Sequence, residues 1–192
     1  MLKVRRFARG CGLSLTATVS VVTAAETMLT GGPTYPPIGH FEFCKLHVAE
    51  CTIRSRDGAP GHMTKKLWQQ IRAVNLSVNN NVKALDDFDH FGKDEFWDYP
   101  IDGYGDCEDY VLEKRRILLE AGVPISDLLI TVAMKPDGDG HAVLTVRTEE
   151  GDFILDSLNP HVLRWDRTKY RYVNAKRAIT LETGSPCSMK RI

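Results

Sequence analysis

The segment running Gly103-Tyr104-Gly105-Asp106-Cys107-Glu108-Asp109-Tyr110 constrains this chain more than any other. Two glycines loosen a loop immediately before an amphipathic helix. Asp106 has the short carboxylate side chain that caps a helix start, and Asp109 three residues on completes a capping-box pattern. The helix then runs through Val111, Leu112, Leu118 and Leu119 to Gly122-Val123-Pro124, a strong stop. Cys107 therefore falls in the first turn. The positive end of the helix dipole favours a thiolate there, and the thiolate is the nucleophile of cysteine chemistry.

A cysteine at a helix start could equally be an inert core thiol or half of a disulfide. The downstream pattern supplies a base and an orienting carboxylate. His141 opens one alternating stretch, 141–147, and Asp156 closes another, 152–156. Glu149-Glu150-Gly151 between them reads as a hairpin connection. Side chains alternate faces along a strand, so the register decides whether the two residues meet. A two-residue turn at Glu150-Gly151 would pair Asp156 with Thr145 and leave His141 roughly 13 Å away at ~3.3 Å per residue. A four-residue loop from Thr148 to Gly151 pairs Asp156 with Val143 and makes His141 its diagonal neighbour. A working Cys-His-Asp set thus favours the four-residue loop or a bulge.

The stretches Gly105-Asp106-Cys107-Glu108-Asp109-Tyr110, His141-Ala142-Val143-Leu144 and Ile154-Leu155-Asp156 resemble the bacterial transglutaminase-like cysteine peptidases, a family that includes the LapG-type periplasmic peptidases. The resemblance extends over roughly Cys44 to Trp165. It takes in the Val74-Asn75 and Val78-Asn79 pairs and Phe96-Trp97. It implies an α+β fold of papain-like or transglutaminase-like type, with helices first and the cysteine helix packed on a small antiparallel sheet that carries the histidine and the aspartate. It also implies that Cys107, His141 and Asp156 are catalytic. The expected substrate is a protein or peptide, by family analogy a surface adhesin, with a regulatory membrane protein as a further partner. The family does not fix the substrate of this branch.

Asp106, Glu108 and Asp109 set up a conflict. They stabilise a helix start, yet as anions beside a thiolate they raise its pKa. A bound cation removes that penalty, and hard oxygen ligands suit calcium. The LapG-type enzymes bind calcium beside the catalytic cysteine, so the resemblance implies Ca²⁺ at Asp106, Glu108 and Asp109. The bland alternative is that the three carboxylates only cap the helix.

The N-terminus places the chain. Lys3, Arg5, Arg6 and Arg9 precede an apolar, small-residue stretch from Gly10 to Val22, and Thr23-Ala24-Ala25 fits a cleavage site. Residues 1–25 read as a secretory signal peptide, too short in its apolar part to span a membrane, and residues 26–192 as a single domain. The expected location is the periplasm. The whole chain carries 25 basic and 25 acidic residues. Loss of four basic and no acidic residues with the signal leaves −4, which argues against nucleic-acid binding. Export also bears on the cysteines. Cys44 and Cys51 would lie ~10.5 Å apart on a straight helix, too far to bond. Either they are two core thiols or the helix breaks and they form a disulfide, and an oxidising compartment favours the disulfide. Cys187 is expected to be free and exposed. Cys107 must be reduced to act.

Elsewhere, residues 26–40 read as an irregular lead-in. Thr64 caps a helix with the stripe Leu67, Trp68, Ile71, Val74, Leu76 and Val78. Leu128 to Met134 is a strand, Pro136 to Gly140 a turn, and Tyr170 to Val173 a last short strand. Trp97 stands between a second oxyanion donor and a core residue. Two rival functions remain open: acyl transfer to an amine, of transglutaminase or amidase type, and a binding domain that has kept the fold without catalysis.

Overall fold

The computed structural model describes residues 27–28, 37–53 and 58–176. Residues 1–25, for which the sequence suggests a signal peptide, and Cys187 lie outside them. The elements, in chain order, are α1 (Ile38–Leu46), α2 (Val48–Thr52), α3 (Lys65–Asn81), β1 (Lys83–Ala84), α4 (Asp87–Phe91), β2 (Tyr104–Gly105), α5 (Cys107–Glu120), β3 (Leu128–Met134), β4 (Gly140–Thr148), β5 (Gly151–Asp156), β6 (Asn159–Arg164) and β7 (Arg171–Lys176). Helices come first and an antiparallel sheet second, the α+β arrangement expected from the sequence.

The sheet has the order β6-β5-β4-β3-β7. Helices α3 and α5 pack on one face, where Val111, Leu118, Ala142, Leu144 and Leu155 form the main core. Val143 and Ile154 point the other way, to a smaller cluster with Met28, Trp165, Tyr170 and Tyr172. This alternation along β4 and β5 is the two-residue period of a sheet buried on both faces. Leu144 pairs Leu155, Thr145 pairs Ile154, and the ladder runs to Thr148 with Gly151. That is the register in which Asp156 falls opposite Val143. The connection is shorter than the four-residue loop anticipated, because Thr148 and Gly151 themselves pair.

Helix α3 starts where Thr64 Oγ1 accepts the Leu67 N–H at 3.0 Å. Its buried face is Ile71, Asn75 and Val78, while Leu76 stands exposed at 49%. The lead-in ends earlier than expected, since α1 already begins at Ile38, behind Pro37. Gly39 fits there because a Cβ at that position would lie 2.2 Å from the Trp97 ring. Helix α1 stops at Leu46, His47 leaves helical geometry at φ −117° and ψ 57°, and α2 restarts at Val48. This break brings Cys44 and Cys51 to a Cα separation of 5.6 Å, and the two form a disulfide. None of the described helices is long and apolar enough to cross a membrane.

Candidate active site

Three elements build the site. The first is the entry to α5. Strands β1 and β2 pair in parallel, Lys83 with Tyr104 and Ala84 with Gly105, and so pin the loop one residue before the cap. Asp106 is the N-cap, with a reciprocal capping box to Asp109 in which the Asp106 N–H donates to Asp109 Oδ2 at 3.4 Å. A Cβ on Gly105 would lie 2.7 Å from the Asp109 Cβ, so only glycine allows the loop to close on its own cap. The second glycine, Gly103, takes φ +85°, the left-handed region that glycine tolerates.

Cys107 is completely buried at the first residue of α5. Its Sγ accepts the backbone N–H of Ala142 at 3.1 Å and lies 3.4 Å from Glu108 Oε2. The Ala142 contact places the sulfur against β4, one residue from His141. Thiolate chemistry at Cys107 requires the reduced thiol.

The second and third elements are the start of β4 and the end of β5. His141 Nε2 meets Asp156 Oδ1 at 2.8 Å, with both side chains almost fully buried. The Leu158 N–H donates to the same oxygen at 2.9 Å. Burial alone would push the Asp156 carboxyl upward. The His141 bond, the Tyr170 hydroxyl and the Leu158 N–H together outweigh it and hold the group below the usual range. Asp156 is therefore an acceptor at neutral pH, which makes Nε2 of His141 the donor and leaves Nδ1 free for a proton from the sulfur side.

Tyr170 is a partner that the sequence did not reveal. Its hydroxyl donates to Asp156 Oδ2 at 2.6 Å, and its ring lies 5.4 Å from the His141 ring. Both carboxylate oxygens are thus engaged, which fixes the plane of the carboxylate. Burial and the adjacent Asp156 charge push the Tyr170 hydroxyl far above its usual range, so it remains a donor. Tyr170→Phe is expected to cost about tenfold in kcat with KM unchanged, because one hydrogen bond to a buried carboxylate is lost while its other donors remain. Steady-state kinetics on a folded variant checks this, and an unchanged kcat would remove Tyr170 from the site.

Trp97 is a core residue. It is 4% exposed, and its Nε1 donates to Glu95 at 2.8 Å, so it is not aimed at the cysteine as an oxyanion donor.

The carboxylates beside Cys107 differ from expectation in one member. Asp87, Asp106 and Glu108 present oxygens within 4.8 Å of one another, all from buried side chains. Asp109 is not in this group. Its Oδ1 accepts the Asp98 N–H at 3.0 Å and its Oδ2 the Asp106 N–H, so it serves the cap and the preceding loop. Asp87 comes from α4, with one oxygen held by the Phe96 N–H. The other oxygen of Asp87, with Asp106 Oδ1 and Glu108 Oε1, is buried without a hydrogen-bond partner. Burial pushes the Asp106 carboxyl up to about 7, and it pushes Glu108 well above its ordinary value, with Asp106 adding to the effect. Three buried carboxylates that converge, each with an oxygen lacking a hydrogen-bond partner, match a hard divalent cation. Asn79 is engaged elsewhere: its amide donates to the Asp156 carbonyl at 2.8 Å. His40 lies close to Cys44 and Cys51, but those sulfurs are joined to each other and offer no thiolate to a metal.

A family model described as bacterial transglutaminase-like cysteine proteinase matches residues 30–183. The chain belongs to this family. Among solved structures it is similar to calcium-bound LapG of Legionella pneumophila, with 30% identity and a TM-score of 0.50 over 57% of this chain. It is also similar to a second structure of Legionella pneumophila LapG, with 32% identity and a TM-score of 0.50 over 58% of this chain. Both matches span 65% of the LapG chain, a little under two thirds of its length. No curated protein matches the chain. The family agrees with the fold: a cysteine at a helix start packed on an antiparallel sheet.

Proposed function

We propose that this protein is a periplasmic thiol peptidase that hydrolyses a peptide bond in a protein substrate, with a cell-surface protein or adhesin as the expected target. The observation that carries the reading is the buried His141–Asp156 pair, 2.8 Å apart, delivered by β4 and β5 to the helix start that holds Cys107. Membership in a cysteine proteinase family supports it.

In the reduced protein Nδ1 of His141 accepts the Cys107 proton, and the thiolate attacks the peptide carbonyl carbon. The Ala142 N–H at the sulfur and the α5 dipole favour the anion. The backbone N–H of Cys107, at the first helical position, meets the developing oxyanion. The imidazolium, held by Asp156, gives its proton to the leaving amine, and a thioester remains. Water then attacks the thioester with His141 again as base, releasing the acid and restoring the thiol. Calcium, held by Asp87, Asp106 and Glu108, would supply positive charge beside the sulfur.

A comparison of envelope and shed proteins between cells with wild-type protein and with Cys107→Ser tests substrate and compartment together. At least one surface protein is expected to stay uncut in the variant. N-terminal sequencing of the exported form should read from near Ala25 or Glu26. Identical protein profiles, or a chain that keeps Met1 and fractionates with membrane, would overturn the reading.

A further inference from the structure

Lys114 is one of the buried charges among the described residues. It lies on α5, seven residues after Cys107, hence on the same helix face two turns on. Its side chain is fully buried, and its ammonium has no hydrogen-bond partner among the described residues. A lysine in that position needs a compensating group.

The neighbours identify one. Burial draws the Lys114 amine down to about 7, and the Asp156 charge opposes this. The Tyr110 ring, on the same helix, lies 5.7 Å from Nζ and packs against Val78 and Val82 at the α3 side. Helix α3 contributes no charge there. It contributes Asn75 and Asn79, whose amide nitrogens clamp the turn after β5: Asn79 donates to the Asp156 carbonyl at 2.8 Å and Asn75 to the Asn159 carbonyl at 2.9 Å. The side-chain carbonyls of both asparagines and the Ser157 hydroxyl are buried without partners. An unsatisfied ammonium and three unsatisfied acceptors therefore border one junction of α3, α5 and the β5–β6 turn. Buried water is what usually joins such groups.

We propose that Lys114 is a positioning residue of the triad: its ammonium, linked by buried water to Asn75, Asn79 and Ser157, anchors the Asp156 turn from behind so that the carboxylate meets His141. Tyr170 and Leu158 fix Asp156 from the front, and their bonds act on it more strongly than the lysine does. Lys114 adds the anchor on the α5 side, tying the carboxylate to the helix that carries the nucleophile. The kinetic part rests on the peptidase reading above.

The first test needs no activity. Coupling between two charged groups is reciprocal, so removing the Asp156 charge must be felt at Lys114. In Cys107→Ala protein, which keeps the thiol out of the titration, the Lys114 Cε resonance is followed against pH with Asp156 present and with Asp156→Asn. The Lys114 midpoint is expected to fall by at least about half a unit, a threefold change in the equilibrium. An unmoved midpoint overturns the proposal, whatever the enzyme hydrolyses. The second test is a double-mutant cycle. Lys114→Met, similar in length and suited to burial, is expected to lower kcat about tenfold with KM unchanged. In an Asp156→Asn background the same change should cost less than twofold. Equal losses in both backgrounds mean that Lys114 acts as packing alone and overturn the proposal. If Lys114→Met does not fold, the titration decides.

Discussion

Cys107→Ala and His141→Ala are expected to give folded proteins without measurable peptidase activity, a loss on the order of 10⁵-fold or more in kcat. The two residues share one event, removal of the thiol proton before attack, so either deletion stops it. The fold should survive both. Cys107→Ala removes a single sulfur from the well-filled core around Val111 and Leu112. His141→Ala leaves Asp156 with the Leu158 N–H and the Tyr170 hydroxyl. Asp156→Asn should retain a trace of activity, on the order of 10⁻⁴ to 10⁻² of wild type, because it misorients the imidazole without removing it. Hydrolysis of a denatured protein substrate under mild reduction, beside circular dichroism and thermal melts, checks all three. Full activity in Cys107→Ala would end the mechanism.

Most of this site was legible because its determinants are local. The cap at Asp106, the glycine before it and the stop at Gly122-Val123-Pro124 are chemistry within one helix. The pairing of β4 with β5 was narrowed by parity and reach: of the two registers compared, only the one placing Asp156 opposite Val143 brings His141 within reach, and the ladder has that register. The disulfide was favoured by the expected export, against the geometry of a straight helix. Seven residues of straight helix cannot close it, so its formation demanded the break found at His47.

What escaped the sequence depends on contacts between distant segments. Tyr170 lies in a weak strand signal, and only the turn beyond β6 carries its hydroxyl to Asp156. Strand β6 itself gave no clear alternation, since Asn159, Pro160 and His161 open it and its pairing with β5 is interrupted by an irregularity before Asp156. Asp87 lies 19 residues before Asp106 in a stretch crowded with acids, where composition cannot choose among Asp86, Asp87 and Asp89. The choice is made in three dimensions. Asp86 caps α4 by accepting the Phe88 N–H at 3.0 Å, and Asp87 is then turned inward to Asp106 and Glu108. Asp109, equally close to the cysteine in sequence, is consumed by backbone donors.

Calcium is expected to raise the melting temperature of the protein, to increase its activity, and to flatten the dependence of its stability on pH. The sign follows from the carboxylates. Burial raises Asp106 to about 7 and Asp109 to about 8, and it raises Asp87 and Glu108 as well. Unfolded, such groups titrate near ~4. Metal-free folded protein therefore holds extra protons between about 4 and 8. Its stability is fullest below the lower limit and declines as pH rises through the upper one. A dication replaces those protons, so calcium should bind more tightly as pH rises over the same window and release protons on binding. At saturation the added stability grows with the logarithm of free calcium. Asp87→Ala and Glu108→Ala should each weaken binding by at least about tenfold, since each removes a charged ligand from a small set. Asp109→Ala should instead act through the α5 cap, costing about 1 kcal/mol of stability with calcium affinity changed less. Calorimetric titration at pH 6 and pH 8, with thermal melts in calcium and in EGTA, separates these outcomes. No heat of binding, activity indifferent to EGTA and equal melting curves in both would leave Asp87, Asp106 and Glu108 as a buried acidic cluster held together by shared protons.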